Sequence, residues 1–300
     1  MPENQDALTI ETYRAQHPDI RPDFTIDQGW KNFTAEDHGV WRTLFERQSK
    51  LLPGRACDEF LHGLKALKLS QDQIPDFEAM NEELFKLTGW EVVSVPGLVP
   101  DADFFNHLAN KRFVSGNFIR KPDELDYLQE PDIFHDVFGH VPLLTNPVFA
   151  DYMQAYGKGG LRALDHDCLH NLSRLYWYTV EFGLINTENG PRIYGAGIVS
   201  SKGESVFALE NDSPNRLGFN LPRVMRTKYR IDDFQQTYWM IDSFEQLFAE
   251  TAAKDFGPIY GELPELAPYE PWEVLAADKI RHMGTQAHAK ARGRMPIHAA

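Results

Sequence analysis

The chain has 300 residues, of which 42% are hydrophobic and 25% charged, a composition typical of a globular protein with a sizeable core. Its net charge of −14 disfavours nucleic acid and an anionic membrane surface as partners, because both repel an acidic protein. Two cysteines are too few for a disulfide framework, and neither a signal peptide nor a long apolar run is present, so we expect a soluble, cytoplasmic protein with reduced thiols.

The two ends of the chain differ in composition from its centre. Residues 1–28 are polar and mixed in charge, which predicts a loosely ordered N-terminal arm. Residues 264–300 finish in a small, polar and basic stretch, which predicts a partly disordered tail; this tail lacks the heptads of an oligomerisation coil. We therefore expect one folded domain over residues 29–263, and a monomer.

Most of the chain between these ends is typical of helices, beginning with Thr34 as the N-cap of HGVWRTLFERQSKLL. Helical spacing predicts further helices in CDEFLHGLKAL, PDFEAMNEELFKLTG, DADFFNHLANKRF, PDIFHDVFGH, NPVFADYMQAYGKGG, CLHNLSRLYWYTVEFGLI and DDFQQTYWMIDSFEQLFAETA. The short strand candidates are WEVVSV, FVSGNFIR, IYGAGIVSS and SVFALE. Neither repeats nor a βαβ alternation is present, so we predict a mainly α single domain of packed helices with a few short β-strands.

The segment PDIFHDVFGHVP, residues 131–142, contains two histidines, His135 and His140. A step of five residues on an α-helix turns by about 140°, so the two rings would diverge on a continuous helix. We expect Gly139 and Pro142 to end the helix between them, which lets His140 turn back toward His135. The spacing differs from H-E-x-x-H, which excludes a zincin. On this pair alone, two ordinary buried histidines bonded to carbonyl groups are favoured.

Glu181, within LYWYTVEFGLI, favours a metal site over two ordinary buried histidines. A carboxylate among such apolar side chains is costly to bury unless it is paired or binds a metal. The ordinary alternative is a salt bridge to Arg174 or Arg192. Together with the two histidines, Glu181 forms the 2-His-1-carboxylate set of non-haem Fe(II) enzymes. Zinc bound by two histidines and a glutamate is the other interpretation, and the residues do not separate the two metals.

Three blocks, LQEPDIFHDVFGHVPLL, LYWYTVEFGLI and IYGAGIVSSKGE, together resemble the catalytic domain of the aromatic amino acid hydroxylases. RACDEF, IPDFEAMNEELFKLTGW and VPGLVPDADFF extend the resemblance upstream, so that it runs from about Trp30 to about Phe248. The bacterial phenylalanine-hydroxylating members are the nearest in this resemblance. It implies the catalytic-domain fold of that family over residues 29–263, and a monooxygenase that uses Fe(II), a tetrahydropterin (tetrahydrobiopterin or a bacterial analogue) and O₂.

The resemblance also implies three sets of site residues. The iron ligands are His135, His140 and Glu181. The pterin-binding residues, with Phe104 stacking on the ring and Asp136 replacing a glutamate common in relatives, are Gly97, Leu98, Val99, Asp101, Phe104 and Asp136. The substrate-binding residues, with Arg120 gripping the amino acid carboxylate, are Arg120, Tyr127, Leu128, Pro131, Trp177, Gly197, Ser200, Glu204 and Ile231.

The implied reaction is conversion of L-phenylalanine to L-tyrosine. Ile231 stands where tyrosine hydroxylases have an aspartate, and an apolar residue suits an unsubstituted ring. Leu128 replaces the threonine of the animal enzymes, so a hydroxyl contact is not expected there. Such a pocket discriminates modestly, which leaves hydroxylation of tryptophan or another aromatic amino acid as an alternative. A zinc hydrolase with the same three ligands is a further alternative, but it leaves the resemblance of the pterin loop unexplained.

Overall fold

The computed structural model describes residues 9–126, 130–166, 168–252, 256–263 and 266–295. The α-helices there, α1 to α13, are Ile10–Arg14, Ala35–Leu51, Asp58–Ala66, Phe77–Thr88, Asp101–Ala109, Pro147–Ala163, Leu169–Tyr176, Ala196–Val199, Lys202–Glu210, Leu221–Arg226, Phe244–Glu250, Gly257–Glu262 and Ala287–Ala291. The strands, β1 to β7, are Glu91–Val95, Arg112–Gly116, Leu184–Thr187, Gly190–Ile193, Asn215–Gly218, Thr237–Ile241 and Ile280–His282. The prediction of a mainly α fold with a few short strands is confirmed.

The strands form two sheets. β1 and β2 pair in parallel, with Glu91 opposite Arg112 and Val95 opposite Gly116. The second sheet has five strands in the order β4-β3-β6-β5-β7. Its central strand β6 is parallel to β3 and β5, whereas β4 and β7 pair in antiparallel fashion at the edges. No helix among the described residues is long and apolar enough to cross a membrane.

One apolar core joins the helices to the sheets and fixes the segment that carries the two histidines. That segment is a π-helical turn, Phe134–His140. The rings of Phe134 and Phe138 stack at 4.7 Å between centroids and are fully buried. Trp41 on α2 meets Phe134 edge-on at 5.3 Å. The burial of this aromatic side of the turn determines which way its other side chains point.

Three segments differ from the predicted elements. IYGAGIVSS ends β4 and forms α8, and SVFALE belongs to α9 instead of a strand. The overlooked signal for α9 is the spacing of Ser201 and Glu204, since the Ser201 hydroxyl accepts the Glu204 amide as an N-cap. The predicted helix DDFQQTYWMIDSFEQLFAETA is β6 followed by α11. All five residues of β6 are buried, so the strand has no alternation to distinguish it from a helix.

Described residues near both ends of the chain make tertiary contacts. Ile20, Phe24 and Ile26 are buried in a cluster with residues of β1 and the loop that follows it. At the other end, β7 pairs with β5, and Gln286 is buried. Such contacts are hard to read from the sequence, because isolated apolar residues in short segments produce no periodic pattern. The division at residues 28 and 264 stays a prediction.

Candidate active site

Two histidines face each other because the segment between them is a π-helix. Asp132 precedes the turn, and its Oδ1 accepts the backbone N–H of His135 at 3.0 Å. In a π-helix the hydrogen bonds run from residue i to i+5, so side chains five apart lie on the same side. The Nε2 atoms of His135 and His140 are 3.2 Å apart. The prediction that a helix ends at Gly139 is therefore wrong, although the expected approach of the rings is confirmed.

Glu181 completes the cluster as the last residue of a second π-helical turn, Trp177–Glu181. Its Oε2 lies 3.4 Å from Nε2 of His135, and its Oε1 lies 3.3 Å from Nε2 of His140. Arg174 and Arg192, the alternative partners, donate instead to backbone carbonyl groups. The three side chains form a group that could hold a metal ion.

The three ligand-to-ligand distances test whether these residues fit one metal. Ligand atoms about 2.1 Å from a metal are about 3.0 Å apart at right angles, about 3.4 Å apart in a tetrahedron, and about 4.2 Å apart when opposite. The two Nε2 atoms are 3.2 Å apart, which excludes opposite positions on a metal, and a different oxygen of Glu181 lies within 3.4 Å of each, so the three side chains approach one point from the same side. An octahedral iron site and a tetrahedral zinc site both satisfy this geometry.

Ser200 orients His135. The Nδ1 atom of His135 lies 3.0 Å from the Ser200 hydroxyl, which itself donates to the carbonyl of Ala196 at 2.7 Å. Since that hydroxyl proton is used, its oxygen accepts a hydrogen bond from the Nδ1–H group, and Nε2 is the ring nitrogen that faces Glu181. A residue predicted to line the substrate pocket thus supports a metal ligand.

The charges at the cluster suit metal binding. Burial alone would raise the pKa of Glu181, but the imidazoles of His140 and His135 hold it well below its usual range. Burial lowers the pKa of His140. Burial would also lower the pKa of His135, but the nearby carboxylates, Glu181 first, raise it. An ionised carboxylate and neutral imidazoles are the forms that bind metals, so the lowered pKa values of Glu181 and His140 favour metal binding, whereas the raised pKa of His135 makes binding there compete with a proton.

The predicted pterin residues follow β1. Gly97, Leu98 and Val99 lie in the loop after the strand, and Asp101 begins α5. Phe104, on the same helix, meets Tyr176 edge-on at 5.9 Å between ring centroids, and Tyr176 is 6.2 Å from the ring of His140. Tyr176 therefore lies between the first turn of α5 and the histidine cluster.

Asp136 connects the histidine turn to the smaller sheet. Its Oδ2 accepts the backbone N–H of Gly116, the last residue of β2, at 2.8 Å. Burial raises the pKa of Asp136 to about 7. Because Gly116 pairs with Val95 at the end of β1, Asp136 is placed near the start of the predicted pterin loop.

Arg120 lies in a buried ion pair that the sequence analysis did not anticipate. Its Nε and Nη2 atoms contact the two oxygens of Asp132 at 2.8 and 2.9 Å. Asp132 follows Pro131 directly and also caps the histidine turn, so one carboxylate aligns Arg120 with His135. An acidic residue just before a helix was the signal for this role. A guanidinium has five N–H donors, which leaves donors for a substrate carboxylate.

An aromatic cluster surrounds Trp177. Its ring stacks on Tyr229 at 4.3 Å and lies 4.6 Å from Phe182. Its Nε1 donates to the side chain of Gln235 at 2.9 Å, and the Gln235 backbone N–H donates to Glu204 at 3.2 Å. Trp177 and Glu204 are therefore linked through Gln235, which the sequence analysis did not single out.

The remaining predicted substrate residues have different positions. A Cβ atom at Gly197 would lie 2.8 Å from the Phe182 ring, so glycine allows α8 to approach the Glu181 turn. Ile231 lies on an exposed loop with 57% of its surface accessible. Tyr127 and Leu128 lie outside the described residues. The binding roles of all these residues stay predictions.

Comparison with known proteins agrees with this geometry. The model of the family described as biopterin-dependent aromatic amino acid hydroxylase matches residues 13–260. The chain belongs to this family. It is therefore an enzyme that hydroxylates an aromatic amino acid and depends on a biopterin.

Individual members of the hydroxylase family match over most of the chain. The phenylalanine-4-hydroxylase of Caulobacter vibrioides is 64% identical over 93% of this chain and 94% of its own length. A structure of Chromobacterium violaceum phenylalanine hydroxylase described as bound to iron and phenylalanine is 54% identical, with a TM-score of 0.84, and covers 91% of this chain and 100% of its own. A second, described as holding iron(III) and 7,8-dihydrobiopterin, is 55% identical, with a TM-score of 0.84, and covers 91% and 98%.

Proposed function

We propose that the chain is a phenylalanine 4-monooxygenase, which converts L-phenylalanine to L-tyrosine with O₂ and a tetrahydropterin at Fe(II). The observation that carries this proposal is the cluster of His135, His140 and Glu181, in which the two Nε2 atoms are 3.2 Å apart and each lies 3.3 to 3.4 Å from a Glu181 oxygen. The hydroxylases of Caulobacter and Chromobacterium support both the substrate and iron as the metal. The same two hydroxylases disfavour the alternative function, a zinc hydrolase.

Each group of residues then has a distinct task. Iron and the reduced pterin supply the oxidising chemistry when they are bound, and the protein supplies position and a dry pocket. Arg120, aligned by Asp132, binds the substrate carboxylate, and a guanidinium suits this two-point contact. Trp177 and Phe182 exclude water from the aromatic ring of the substrate. Ser200 keeps Nε2 of His135 free to bind iron.

The proposed pterin-binding residues are a separate group from those assigned to the substrate. We propose that the loop of residues 97–101 contacts the pterin through its backbone, while Phe104 stacks on the ring. The carboxyl group of Asp136, whose pKa burial raises to about 7, lies where it can hydrogen-bond the pterin in either protonation state. The cofactor in the cell is tetrahydrobiopterin or a bacterial analogue.

The proposal includes a cytoplasmic monomer. The acidic surface supports action on small molecules without nucleic acid or a membrane. Light scattering after size exclusion tests the oligomeric state. One chain has a mass of 34.4 kDa, and a mass near twice that value would contradict the monomer.

The first experiment measures tyrosine formation by anaerobically iron-loaded protein supplied with L-phenylalanine, tetrahydrobiopterin and O₂. We expect tyrosine in step with pterin oxidation, and loss of both in His135→Ala. His62→Ala is the matched control, since His62 is an exposed histidine on α3. Pterin oxidation without tyrosine from L-phenylalanine, together with formation of 5-hydroxytryptophan when L-tryptophan is supplied instead, would replace phenylalanine by tryptophan as the substrate. Metal-dependent hydrolysis without O₂ uptake would overturn the proposal.

A further inference from the structure

The N-terminal segment, residues 9–28, is attached to β1, β2 and α5, the two strands and the helix next to the predicted pterin loop. The backbone N–H of Ile26 donates to a carbonyl of β1 at 2.9 Å. The carboxylate of Asp23 pairs with Arg112 on β2 at 3.0 Å, and its backbone carbonyl lies 2.8 Å from Nε2 of His107 on α5. These contacts fix the segment along the strand, the loop and the helix that carry the proposed pterin residues.

Tyr13, on α1 within this segment, reaches the loop itself. Its hydroxyl donates to the backbone carbonyl of Leu98 at 2.7 Å. Its ring packs on the apolar cluster that includes Val95 and Val99, with Phe104 also against that cluster. Burial, with the nearby carboxylate of Glu130, raises the pKa of Tyr13, so the phenol keeps its proton as a donor.

Gly97 permits this approach. A Cβ atom built at Gly97 would lie 3.4 Å from the Tyr13 hydroxyl oxygen and 3.0 Å from Oε1 of Glu130. The distance to Glu130 is tighter than an ordinary contact and the distance to Tyr13 is at the limit of one, so a larger residue would require Glu130 to shift and would crowd Tyr13. The glycine therefore brings the loop close enough for Tyr13 to hydrogen-bond the next residue, Leu98.

We propose that Tyr13 is a positioning residue for the pterin: its hydroxyl fixes the Leu98 carbonyl and holds the loop of residues 97–101 in the shape that receives the cofactor. This inference rests on the proposed function, because it assumes that the loop contacts a pterin. A loop already held in its binding shape has less conformational freedom to lose, which strengthens binding. A hydroxyl-to-carbonyl bond of this kind corresponds to a roughly three- to tenfold change in an equilibrium constant.

Tyr13→Phe tests the inference, since it removes the hydroxyl and keeps the ring. Tyr260→Phe is the matched control, because Tyr260 is a buried tyrosine on α12 whose hydroxyl donates to the carbonyl of Gly159 at 3.3 Å. Two measurements on iron-loaded protein are compared: the Kd for 7,8-dihydrobiopterin by calorimetry, and backbone hydrogen exchange of residues 97–101 without pterin. KM for L-phenylalanine and the Fe(II) Kd are measured in parallel.

We expect Tyr13→Phe to raise the pterin Kd roughly three- to tenfold and to speed exchange of the loop. The Fe(II) Kd and KM for L-phenylalanine stay at the wild-type values, and Tyr260→Phe leaves the pterin Kd unchanged. An unchanged or lower pterin Kd in Tyr13→Phe overturns the inference, whether or not the exchange changes. If the wild-type protein itself does not bind the dihydropterin, the proposed function fails instead.

Discussion

The hydroxyl of Ser200 sets both the tautomer and the orientation of His135, so Ser200→Ala removes support from a metal ligand without touching the metal. The variant leaves the Nδ1–H of His135, a partly buried residue, without the acceptor that lies 3.0 Å away. An unsatisfied buried donor costs about 1–3 kcal/mol. The ring regains freedom to turn Nε2 away from Glu181, and loss of such an outer partner typically weakens metal binding by about 10–100-fold. We expect the Fe(II) Kd to rise within that range.

Competition with a chromogenic chelator under anaerobic conditions measures this Kd. Ser205→Ala is the matched control, because Ser205 is also a buried serine whose hydroxyl donates to backbone carbonyl groups, in this case those of Ile198 and Ser201. General destabilisation affects both variants, whereas release of His135 affects only Ser200→Ala. If the two variants bind Fe(II) with Kd values within about twofold of each other, the assigned role of Ser200 is refuted.

Three further variants test separate parts of the site. Glu181→Gln keeps the size of the ligand but loses its charge, and we expect chelator competition to show at least a hundredfold weaker Fe(II) binding, on the order of 3 kcal/mol. Arg120→Lys loses the two-point contact with Asp132; steady-state kinetics should show KM for L-phenylalanine raised about tenfold or more with an unchanged Fe(II) Kd. Burial raises the pKa of Glu204 from 4.5 to about 7, so its protonated form stabilises the fold at low pH and this contribution is lost as pH rises through 7. Urea unfolding of the iron-free protein measures the free energy of unfolding of the wild type and of Glu204→Gln at about pH 5 and about pH 8. The wild-type value minus the variant value should be about 2–3 kcal/mol larger at the lower pH. The same difference at both pH values would contradict a raised pKa of Glu204.

The three candidate metal ligands could be singled out from the sequence because their chemistry is unusual for their surroundings. A glutamate in an aromatic helix and two nearby histidines indicate a metal before any fold is known. The geometry that joins His135 to His140 could not be predicted in this way, since a π-helical turn has no period of its own in a segment of seven residues. The choice of iron over zinc likewise came from relatives, because the ligand distances fit both metals.

Contacts between segments that are distant in the sequence also could not be predicted. The pairing of Arg120 with Asp132 joins a loop to a helix start, and each residue alone has an ordinary solvent-exposed interpretation. The hydrogen bond from Tyr13 spans 85 residues of sequence. The sequence of strand β6 could not be distinguished from that of a buried helix, because all five of its residues are buried and it shows no alternation. Its burial on both faces comes from segments elsewhere in the chain.

Because a π-helical turn brings the two histidines together, the metal affinity of the site depends on the helix type of the backbone. If Phe134–His140 relaxed to an α-helix, the same two histidines would diverge by about 140° with no residue changed. Metal occupancy and helix type are therefore thermodynamically linked, and each biases the other. Free iron at a hundredfold excess over its Kd would favour the π form by about 2.7 kcal/mol over any form that cannot bind it. A substitution anywhere in the turn that favours the α-helix is thus expected to weaken iron binding from a distance, without removing a ligand.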